Sequence, residues 1–277
     1  MPKTRLDLLL VDRGLAESRT KAQAMIMAGQ VRVNGQVELK ASSMVPPAEK
    51  VDLETSPRFV SRGGEKLEAA LVSFPVEVRG CVCADIGAST GGFSDCLLQH
   101  GAIKVYAIDV GKGLLHWKLR SDPRLVIMEK TNARYVEKLP EPVSLVTVDA
   151  SFISLKVLLA VAKNWFPMIY PTSHTGKSGR REGEIIALIK PQFEAGRKES
   201  GRNKGVIRDR EVHAGVVRDV LTFAQAQGFS VCGLIRSPLI GPKGNIEFLT
   251  WLGLGQKVGI DWQAQLTHVL ENKLTAV

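Results

Sequence analysis

Four ionisable residues lie at the ends of apolar runs of strand length, where a buried strand normally carries no charge. A charged group in such a position is costly unless it is paired or solvated. In parallel α/β sheets, ligands bind beyond the carboxyl ends of the strands, so residues placed there can meet at one site. The runs are "CVCADI", "KVYAID", "SLVTVD" and "EIIALIK", and the residues are Asp85, Asp109, Asp149 and Lys190. Together they predict a polar site in which one cation lies among three acids.

A glycine-rich turn, "GASTGG", follows the first of these runs. Its glycines, Gly87, Gly91 and Gly92, lack the spacing of the dinucleotide-binding fingerprint, and no Gly-Lys-Ser/Thr follows to make a phosphate loop. Small residues let the backbone approach a ligand closely. Asp109, at the end of the second strand, is placed to accept hydrogen bonds from a ribose diol, which nucleotide cofactors and S-adenosylmethionine both carry. The turn by itself leaves the cofactor open.

The elements that must position these residues alternate between strands and helices from Cys81 onward, with "RLVIME" as a further strand. Such alternation predicts a parallel sheet with helices on both faces. A long helix, residues 210–228, precedes two more strands that flank "GPKGN", and we expect these two to be antiparallel neighbours. The predicted fold class is α/β, a Rossmann-like sheet of seven strands that is mostly parallel, with the last strand antiparallel.

A separate helix–helix–hairpin pattern precedes this region. Leu6, Leu9 and Leu10 have helical spacing, Ser18 is a good N-cap for a second helix, and Asn34-Gly35 is a strong two-residue hairpin turn. The pattern resembles the αL RNA-binding module of a small-subunit ribosomal protein. The resemblance implies that basic residues contact RNA phosphates, whereas charge alone leaves a solvated basic face equally open. The candidates are Arg5, Arg19, Lys21 and Arg32, to which we add Arg62 beyond the module.

Prolines at 46, 47 and 57 punctuate the next segment, and we place the domain boundary there, with residues 1–60 in one domain and 61–277 in the other. The 277-residue chain has a formal net charge of +9, which favours polyanionic partners such as RNA, DNA or anionic membrane. It has no apolar run near the ~18 residues of a membrane span and no signal peptide pattern. We therefore expect a cytoplasmic protein with reduced cysteines.

The cysteines and histidines offer no metal-binding pattern that we recognise in the sequence. Cys81 and Cys83 alternate in a strand, Cys96 and Cys232 stand alone, and the histidines are taken to lie far from them. We expect core cysteines and no metal site.

Four further stretches decide between the candidate cofactors: "SRGGEKLEAAL", "VDASFISL", "LIKPQFEAG" and "GNIEFLTWL". With "DIGASTGGF", they resemble the cell-division heat-shock (FtsJ-like) class of ribose methyltransferases. With the αL module in front, the whole chain resembles the TlyA, or haemolysin A, family. That resemblance implies transfer of a methyl group from S-adenosylmethionine to a cytidine 2′-hydroxyl of ribosomal RNA. It assigns the catalytic set by motif to Lys66, Asp149, Lys190 and Glu247.

The same resemblance implies a cofactor site around the turn. Its members are Asp85, Gly87, Ala88, Ser89, Thr90, Gly91, Gly92, Phe93, Asp109, Val110, Asn132 and Asp149. The expected partners are ribosomal RNA or ribosomal subunits, with no membrane and no obligate protein partner.

Several alternatives stay open in the sequence. Taken singly, Lys66 and Glu247 are ordinary surface residues, and Asp149 is an ordinary turn cap. Lys190 acts either as a neutral base or as an ammonium that stabilises an oxyanion. The polar, basic stretch at 170–184 is either a surface loop or an RNA contact. A membrane-active haemolysin and a catalytically inactive RNA-binding protein are the competing functions.

Overall fold

The computed structural model describes residues 3–27, 29–53, 57–169, 180–196, 205–255 and 258–271. It divides the chain into two compact units, Met1–Arg58 and Phe59–Val277. Most of the basic stretch at 170–184 lies outside the described residues, and so does much of the basic stretch after Gly196. The proposal that either stretch contacts RNA therefore stays a prediction.

The first unit contains two helices and short strands. Its core is formed by Leu6, Leu10, Ala22, Ile26 and Val31, which are fully buried. The leucine spacing therefore does form the buried face of the first helix. Its elements are β1 (Thr4–Arg5), α1 (Leu6–Asp12), α2 (Arg19–Met27), β2 (Val31–Val33), β3 (Gln36–Val37), β4 (Met44–Val45) and β5 (Val51–Leu53). Strands β3, β2 and β5 form one sheet in that order, and β1 pairs with β4.

The predicted cap and turn of this unit are both present. Ser18 Oγ accepts a hydrogen bond from the backbone N–H of Lys21 at 3.2 Å, as an N-cap does. Asn34 and Gly35 have φ values of 51° and 81° between β2 and β3. Both values are positive, which is what a two-residue turn of the I′ type requires.

The second unit is built on one seven-stranded sheet. Its strands are β6 (Val82–Ile86), β7 (Lys104–Ile108), β8 (Leu125–Met128), β9 (Leu145–Val148), β12 (Gly183–Ile189), β13 (Phe229–Arg236) and β14 (Phe248–Leu254). They lie in the order β13-β14-β12-β9-β6-β7-β8. Strands β12, β9, β6, β7 and β8 are parallel, and β14 is antiparallel to both β12 and β13. The predicted fold class is confirmed. A further pair, β10 (Met168–Ile169) and β11 (Arg180–Arg181), stands apart from this sheet.

Helices cover both faces of the sheet, as the alternation of elements predicts. In β12, Ile185, Ala187 and Ile189 pack into one buried cluster, whereas Ile186 and Leu188 pack into the other. The first cluster includes residues of α6 (Leu155–Ala162), α8 (Arg210–Ala226) and α9 (Trp262–Glu271). The second includes residues of α3 (Gly63–Ser73), α4 (Gly92–Gln99) and α5 (Trp117–Arg120). A short helix, α7 (Pro191–Glu194), follows β12 directly.

The strand directions bring distant residues to one edge of the sheet. The parallel strands end there, so the residues that follow β9 and β12, Asp149 and Lys190, share that edge. Phe248, the first residue of β14, pairs with Ile189, the last of β12. Glu247, immediately before the antiparallel strand, is thereby placed at the same edge.

Candidate active site

A cavity of about 740 Å³ lies at this edge of the sheet. All four residues of the predicted catalytic set line it: Lys66, Asp149, Lys190 and Glu247. Lys66 is carried by α3, and the other three sit at strand ends. The volume is in the range of cavities that take drug-sized ligands.

Lys190 and Asp149 form the first of two ion pairs in the cavity, with Lys190 buried and Asp149 partly exposed. Lys190 Nζ lies 2.6 Å from Asp149 Oδ1, and it also donates to Ser151 Oγ at 3.0 Å and to the Asp149 carbonyl at 3.4 Å. An ammonium has three N–H donors and no acceptor. Three oxygen acceptors around the nitrogen therefore suit the protonated form of Lys190.

The sequence around Lys190 explains why it stands where it does. Pro191 has no N–H to extend the strand, and proline is favoured at the first position of a helix. Strand β12 accordingly ends at Ile189, and Pro191 opens α7, leaving Lys190 as the extended residue between them. The side chain of Lys190 therefore lies just beyond the carboxyl end of β12 and not within the buried strand.

Lys66 and Glu247 form the second pair, with Lys66 Nζ 2.6 Å from Glu247 Oε2. Both residues are buried, and Gln192 Nε2 donates to the other carboxylate oxygen at 3.1 Å. A Cβ at Gly241 would lie 2.3 Å from Glu247 Oε1, so any larger residue at 241 would displace the carboxylate from this position. Among the described residues, Gln192 Oε1 is a buried acceptor with no hydrogen-bond partner. Gln192 Oε1 can therefore accept a hydrogen bond from a ligand in this part of the cavity.

The glycine turn forms another wall of the cavity and is packed against the first ion pair. Gly87 has a φ of 83°, and a Cβ there would lie 2.8 Å from the Asp149 carbonyl oxygen. Gly91 also has a positive φ, and α4 begins at Gly92 with its N-terminus beside the cavity. Helix N-termini and closely approaching backbone favour polar or anionic ligand groups. The turn residues that line the cavity are Gly87, Ala88, Ser89, Thr90, Gly92 and Phe93.

Besides Gly91 of the turn, four predicted cofactor residues do not line the main cavity. Asp109 lies in a small neighbouring cavity, where it accepts hydrogen bonds from the N–H groups of Ser89 at 2.8 Å and Gly111 at 2.7 Å. Asp109 thereby braces the turn itself. Val110 is exposed, and Asn132 accepts a hydrogen bond from the Arg134 N–H at 3.1 Å, as a helix cap.

The fourth of them, Asp85, is fully buried beneath the turn. It accepts hydrogen bonds from Ser94 Oγ at 2.7 Å and Thr147 Oγ1 at 3.0 Å, which join β6 to α4 and β9. Burial raises the pKa of the Asp85 carboxyl to about 6. In this structure Asp85 supports the turn from below and has no surface in the cavity.

Several cavity residues were not singled out in the sequence. Ser151 and Phe152 lie within "VDASFIS", and Gln192 and Phe193 lie within "KPQFE", so the motifs contained them without showing their roles. Phe152 is 91% exposed, has a φ of 64°, and lies 4.9 Å from the Phe193 ring, centroid to centroid. A strained backbone holding a large aromatic ring in solvent is typical of a functional position. Lys243, which also has a positive φ, completes this side of the cavity.

The predicted RNA-binding residues differ in their exposure and in the groups that they contact. In the first unit, Arg5 and Arg19 both pair with the buried carboxylate of Asp7, at 2.9 and 3.0 Å. The hydrogen bond from Arg5 is the largest influence holding the pKa of Asp7 well below its usual range. Lys21 is exposed at the start of α2, and Arg32 donates to the Gly35 carbonyl at 3.1 Å. In the second unit, Arg62 is exposed and lines the cavity.

The expectation that no histidine lies near a cysteine is wrong. Cys96 and His100 are four residues apart at the end of α4, so they share one helical face. Together with Glu68 of α3, their ligand atoms lie within 4.8 Å of one another. His100 Nε2 lies 2.6 Å from Glu68 Oε2, and that contact joins the two helices. We propose no metal for this group, which lies outside the cavity lining.

Comparisons with known proteins agree with this architecture. Residues 59–254 match the FtsJ-like methyltransferase family, and residues 4–51 match the S4 domain. YqxC from Bacillus subtilis is 46% identical over 271 residues, covering 92% of this chain and 88% of that protein. The 16S/23S rRNA (cytidine-2′-O)-methyltransferase TlyA from Mycobacterium tuberculosis is 41% identical, covering 90% of each chain. A solved structure from Streptococcus thermophilus, described as a hemolysin, has a TM-score of 0.70 at 39% identity and covers 98% of this chain and 95% of its own.

A different name is attached to another relative. Hemolysin A from Brachyspira hyodysenteriae is 40% identical, covering 88% of this chain and 98% of that protein. Among the helices that the structure describes here, none is long and apolar enough to cross a membrane.

Proposed function

The chain belongs to the TlyA family of FtsJ-like methyltransferases that carry an S4 domain, and on that basis we propose that it methylates a ribose 2′-hydroxyl of ribosomal RNA. The relatives named for cytidine make cytidine the proposed nucleotide. One observation carries the proposal: two ion pairs, Lys190–Asp149 and Lys66–Glu247, line the same cavity as the glycine turn.

The residues around the turn fit S-adenosylmethionine, which is the methyl donor of the proposed reaction. A Cβ at Gly92 would lie 2.8 Å from the backbone nitrogen of Gly64, and one at Gly87 would lie 2.8 Å from the backbone oxygen of Asp149, so backbone segments lie close together in this wall. The turn from Gly87 to Phe93 and the N-terminus of α4 would hold the cofactor. When bound, the cofactor supplies an electrophilic methyl group on a sulfonium.

The chain's own residues then have mainly to place and stabilise the attacking oxygen. Lys190 is surrounded by oxygen acceptors, so we assign it the ammonium form, directing positive charge at the ribose oxygen as negative charge develops there. Asp149 fixes that ammonium, and its partly exposed carboxylate is our acceptor for the hydroxyl proton. The neutral-base alternative for Lys190 requires breaking this arrangement.

The second ion pair is assigned a positioning role. Glu247 is held by Lys66 and in turn holds the amide of Gln192, which faces the same cavity. Loss of either charge leaves the other buried without its partner, which is costly. A complete set of both pairs supports an active enzyme over an inactive RNA-binding protein.

RNA is the proposed partner of both units. In the first, we propose that Arg5, Arg19, Lys21 and Arg32 contact phosphates, with Asp7 fixing the first two guanidinium groups. In the second, Arg62 and Lys243 are placed at the cavity for the same purpose, and the exposed ring of Phe152 offers a stacking surface to a base. We propose action in the cytoplasm on ribosomal subunits or their RNA, without an obligate protein partner.

Transfer of tritiated methyl groups from S-adenosylmethionine tests the proposal. We expect label in ribosomal subunits or in purified ribosomal RNA with the wild-type protein. Lys190→Ala should lower the rate by about 100-fold or more, the scale of losing one charge-stabilising group. Lys190→Arg, which keeps a positive charge, should retain measurable activity at neutral pH.

Each outcome has a distinct meaning. No label in either substrate with wild-type protein would refute the proposed reaction. Full activity of Lys190→Ala would refute the site assignment alone. An inactive Lys190→Arg variant that still binds cofactor and RNA would favour Lys190 as a neutral base.

A further inference from the structure

One tryptophan of this chain is placed very differently from the others. Trp165, Trp251 and Trp262 are buried in the second unit, whereas Trp117 is 70% exposed. Large aromatic side chains are normally buried, and exposed Trp and Tyr rings are enriched at binding surfaces. Trp117 does not line the cavity of the ion pairs, so that site does not account for it.

The backbone beneath Trp117 is well anchored. Leu115 and Leu119, two residues away on either side, are buried and pack where a Cβ of Gly91 would be. The N–H of His116 donates to the carbonyl of Thr90, in the glycine turn, at 3.1 Å. The indole ring is therefore presented from an ordered support that is tied directly to the proposed cofactor turn.

Cationic and aromatic groups surround the exposed ring. Lys118 Nζ lies 6.0 Å from the centroid of the indole, and the His116 ring lies 5.6 Å from it at an interplanar angle of 31°. Residues 110–121 contain three Lys or Arg residues and no acid. A ring flanked by positive charge suits a ligand with a flat π-system and negative charge, as a nucleotide has.

A short 3₁₀ helix after β8, Ala133–Tyr135, carries a second pair of the same kind. Tyr135 is 75% exposed, and the Arg134 guanidinium lies 5.8 Å from the centroid of its ring. A backbone hydrogen bond from the Lys130 N–H to the Gly111 carbonyl, at 2.9 Å, joins the segments that follow β7 and β8. However, Leu115 and Leu119 pack into the buried cluster on one face of the sheet, and Ala133 packs into the cluster on the other. The pair at Tyr135 is therefore kept separate, and we call the group of His116, Trp117 and Lys118 the aromatic ledge.

We propose that the aromatic ledge binds single-stranded RNA outside the cavity, with a base stacked on Trp117 and a phosphate close to Lys118. The inference rests on the proposed function in taking RNA as the substrate. Stacking on an aromatic ring accepts any base. The ledge therefore increases the affinity for RNA and aligns the strand, whereas the cavity selects the nucleotide that is methylated. Arg120 of this segment is paired with Glu129, so the charge beside the ring that favours a polyanion is that of Lys118.

The fluorescence of Trp117 gives a direct test, because the other three tryptophans are buried. A short fluorescein-labelled single-stranded RNA serves as the probe for affinity, by anisotropy, and the unlabelled RNA serves for tryptophan quenching. In the wild type we expect RNA to quench the emission and to protect it from acrylamide. Trp117→Leu should abolish both effects and weaken binding about tenfold, the scale of one lost base stack. Trp117→Phe should lose the fluorescence change but keep most of the affinity.

Two controls separate the ledge from its surroundings. Val72→Ala removes an equally exposed apolar side chain from α3 (79% exposed) and should change neither RNA affinity nor quenching. The affinity of Trp117→Leu for S-adenosylmethionine should equal that of the wild type. A loss of cofactor affinity with unchanged RNA affinity would overturn the proposal and make the ledge part of the cofactor site.

The ledge and the proposed function fail in different ways. RNA binding without any change in Trp117 emission, together with wild-type affinity in Trp117→Leu, would overturn the ledge even if methyl transfer is found. Quenching that depends on Trp117 would support the ledge even if the wild type transfers no methyl group to ribosomal RNA.

Discussion

At the scale of residues, the site consists of four charges that cancel in two ion pairs, and Asp149 is the one partly exposed member. Buried ion pairs contribute little net stability when intact. Removal of one partner is costly, because the remaining charge is then buried without a counter-charge and is poorly solvated. Both Lys66 and Glu247 are buried, and so is Lys190. We therefore attribute the two pairs to the positions that they give to the proposed catalytic side chains, and not to the stability of the fold.

A double-mutant cycle on the second pair tests this view. Lys66→Met leaves the Glu247 carboxylate buried beside Gln192 and should lower the free energy of unfolding by about 3 kcal/mol. Adding Glu247→Gln should recover a large part of that loss, because no charge is then left unpaired. Urea unfolding of the single and double variants measures the coupling, and additive losses would contradict it.

Asp85 provides a pH-dependent prediction. Burial raises its pKa in the folded protein to about 6, above the value of about 3.9 for an unfolded Asp. Its contribution to stability is thus fully present below about pH 4 and is lost as the pH rises through about 6. Asp85→Asn, which stays neutral, should gain stability relative to wild type across that range. A difference in unfolding free energy that is constant from pH 4 to 7 would contradict this account.

At the scale of elements, the turn after β6 depends on backbone geometry that only glycine provides. Gly87→Ala would place a methyl group against the backbone at Asp149, within 3 Å, at a φ of 83°. We expect it to reduce both the affinity for S-adenosylmethionine and the rate of methyl transfer, since the turn and the first ion pair are displaced together.

Gly113→Ala is the matched control for that substitution. Gly113 has a φ of 73°, but no atom lies within 4 Å of the position of its Cβ. It should cost about 1 kcal/mol of stability from backbone strain alone, with little effect on cofactor affinity. Calorimetric titration with the cofactor compares the two variants, and equal losses of affinity would show that strain alone explains the effect.

Much of this element-level arrangement was predictable, for physical reasons that differ from case to case. Apolar runs of strand length and the chemistry of Pro191 place Lys190 at a strand end, and the structure confirms that position. Glu247 reaches the site because β14 is antiparallel to β12. The "GPKGN" turn predicts that β14 is also antiparallel to β13, and that pairing is confirmed. The resemblance to a known family, not periodicity, identified Lys66.

The remaining differences arise from side-chain orientation, which periodicity does not specify. Asp85 and Asp109 lie at the predicted strand ends, yet Asp85 bonds to neighbouring hydroxyls and Asp109 to the N–H groups of the turn. The exposure of Phe152 and Trp117 runs against the usual burial of aromatic residues. Cys96 and His100 lie close together because they are four residues apart at the end of α4, a spacing that is visible in the sequence.

At the scale of the whole molecule, the excess of positive charge is spread over two units with separate folds. Binding of RNA should then weaken steeply as salt is added, because each neutralised phosphate releases counterions. Lys21→Ala should reduce the slope of log K against log salt by roughly 0.7 to 0.9 without affecting stability. Anisotropy titrations over a range of salt concentrations measure the slope, and an unchanged slope would remove Lys21 from the contact surface.

Arg19→Ala should behave differently, because Arg19 also holds the buried Asp7. We expect a similar loss of slope together with faster hydrogen exchange in α2, whose start it anchors. If Arg19→Ala changed neither the slope nor the exchange, the proposed RNA surface of the S4 unit would be wrong.

The identity of the methylated product tests the central claim most directly. Ribosomal RNA incubated with the protein and S-adenosylmethionine is digested to nucleosides, which are then identified by mass spectrometry. The account predicts 2′-O-methylcytidine with the wild type and none above background with Lys190→Ala. A methyl group found on a base, or an equal yield of 2′-O-methylcytidine from Lys190→Ala, would contradict it.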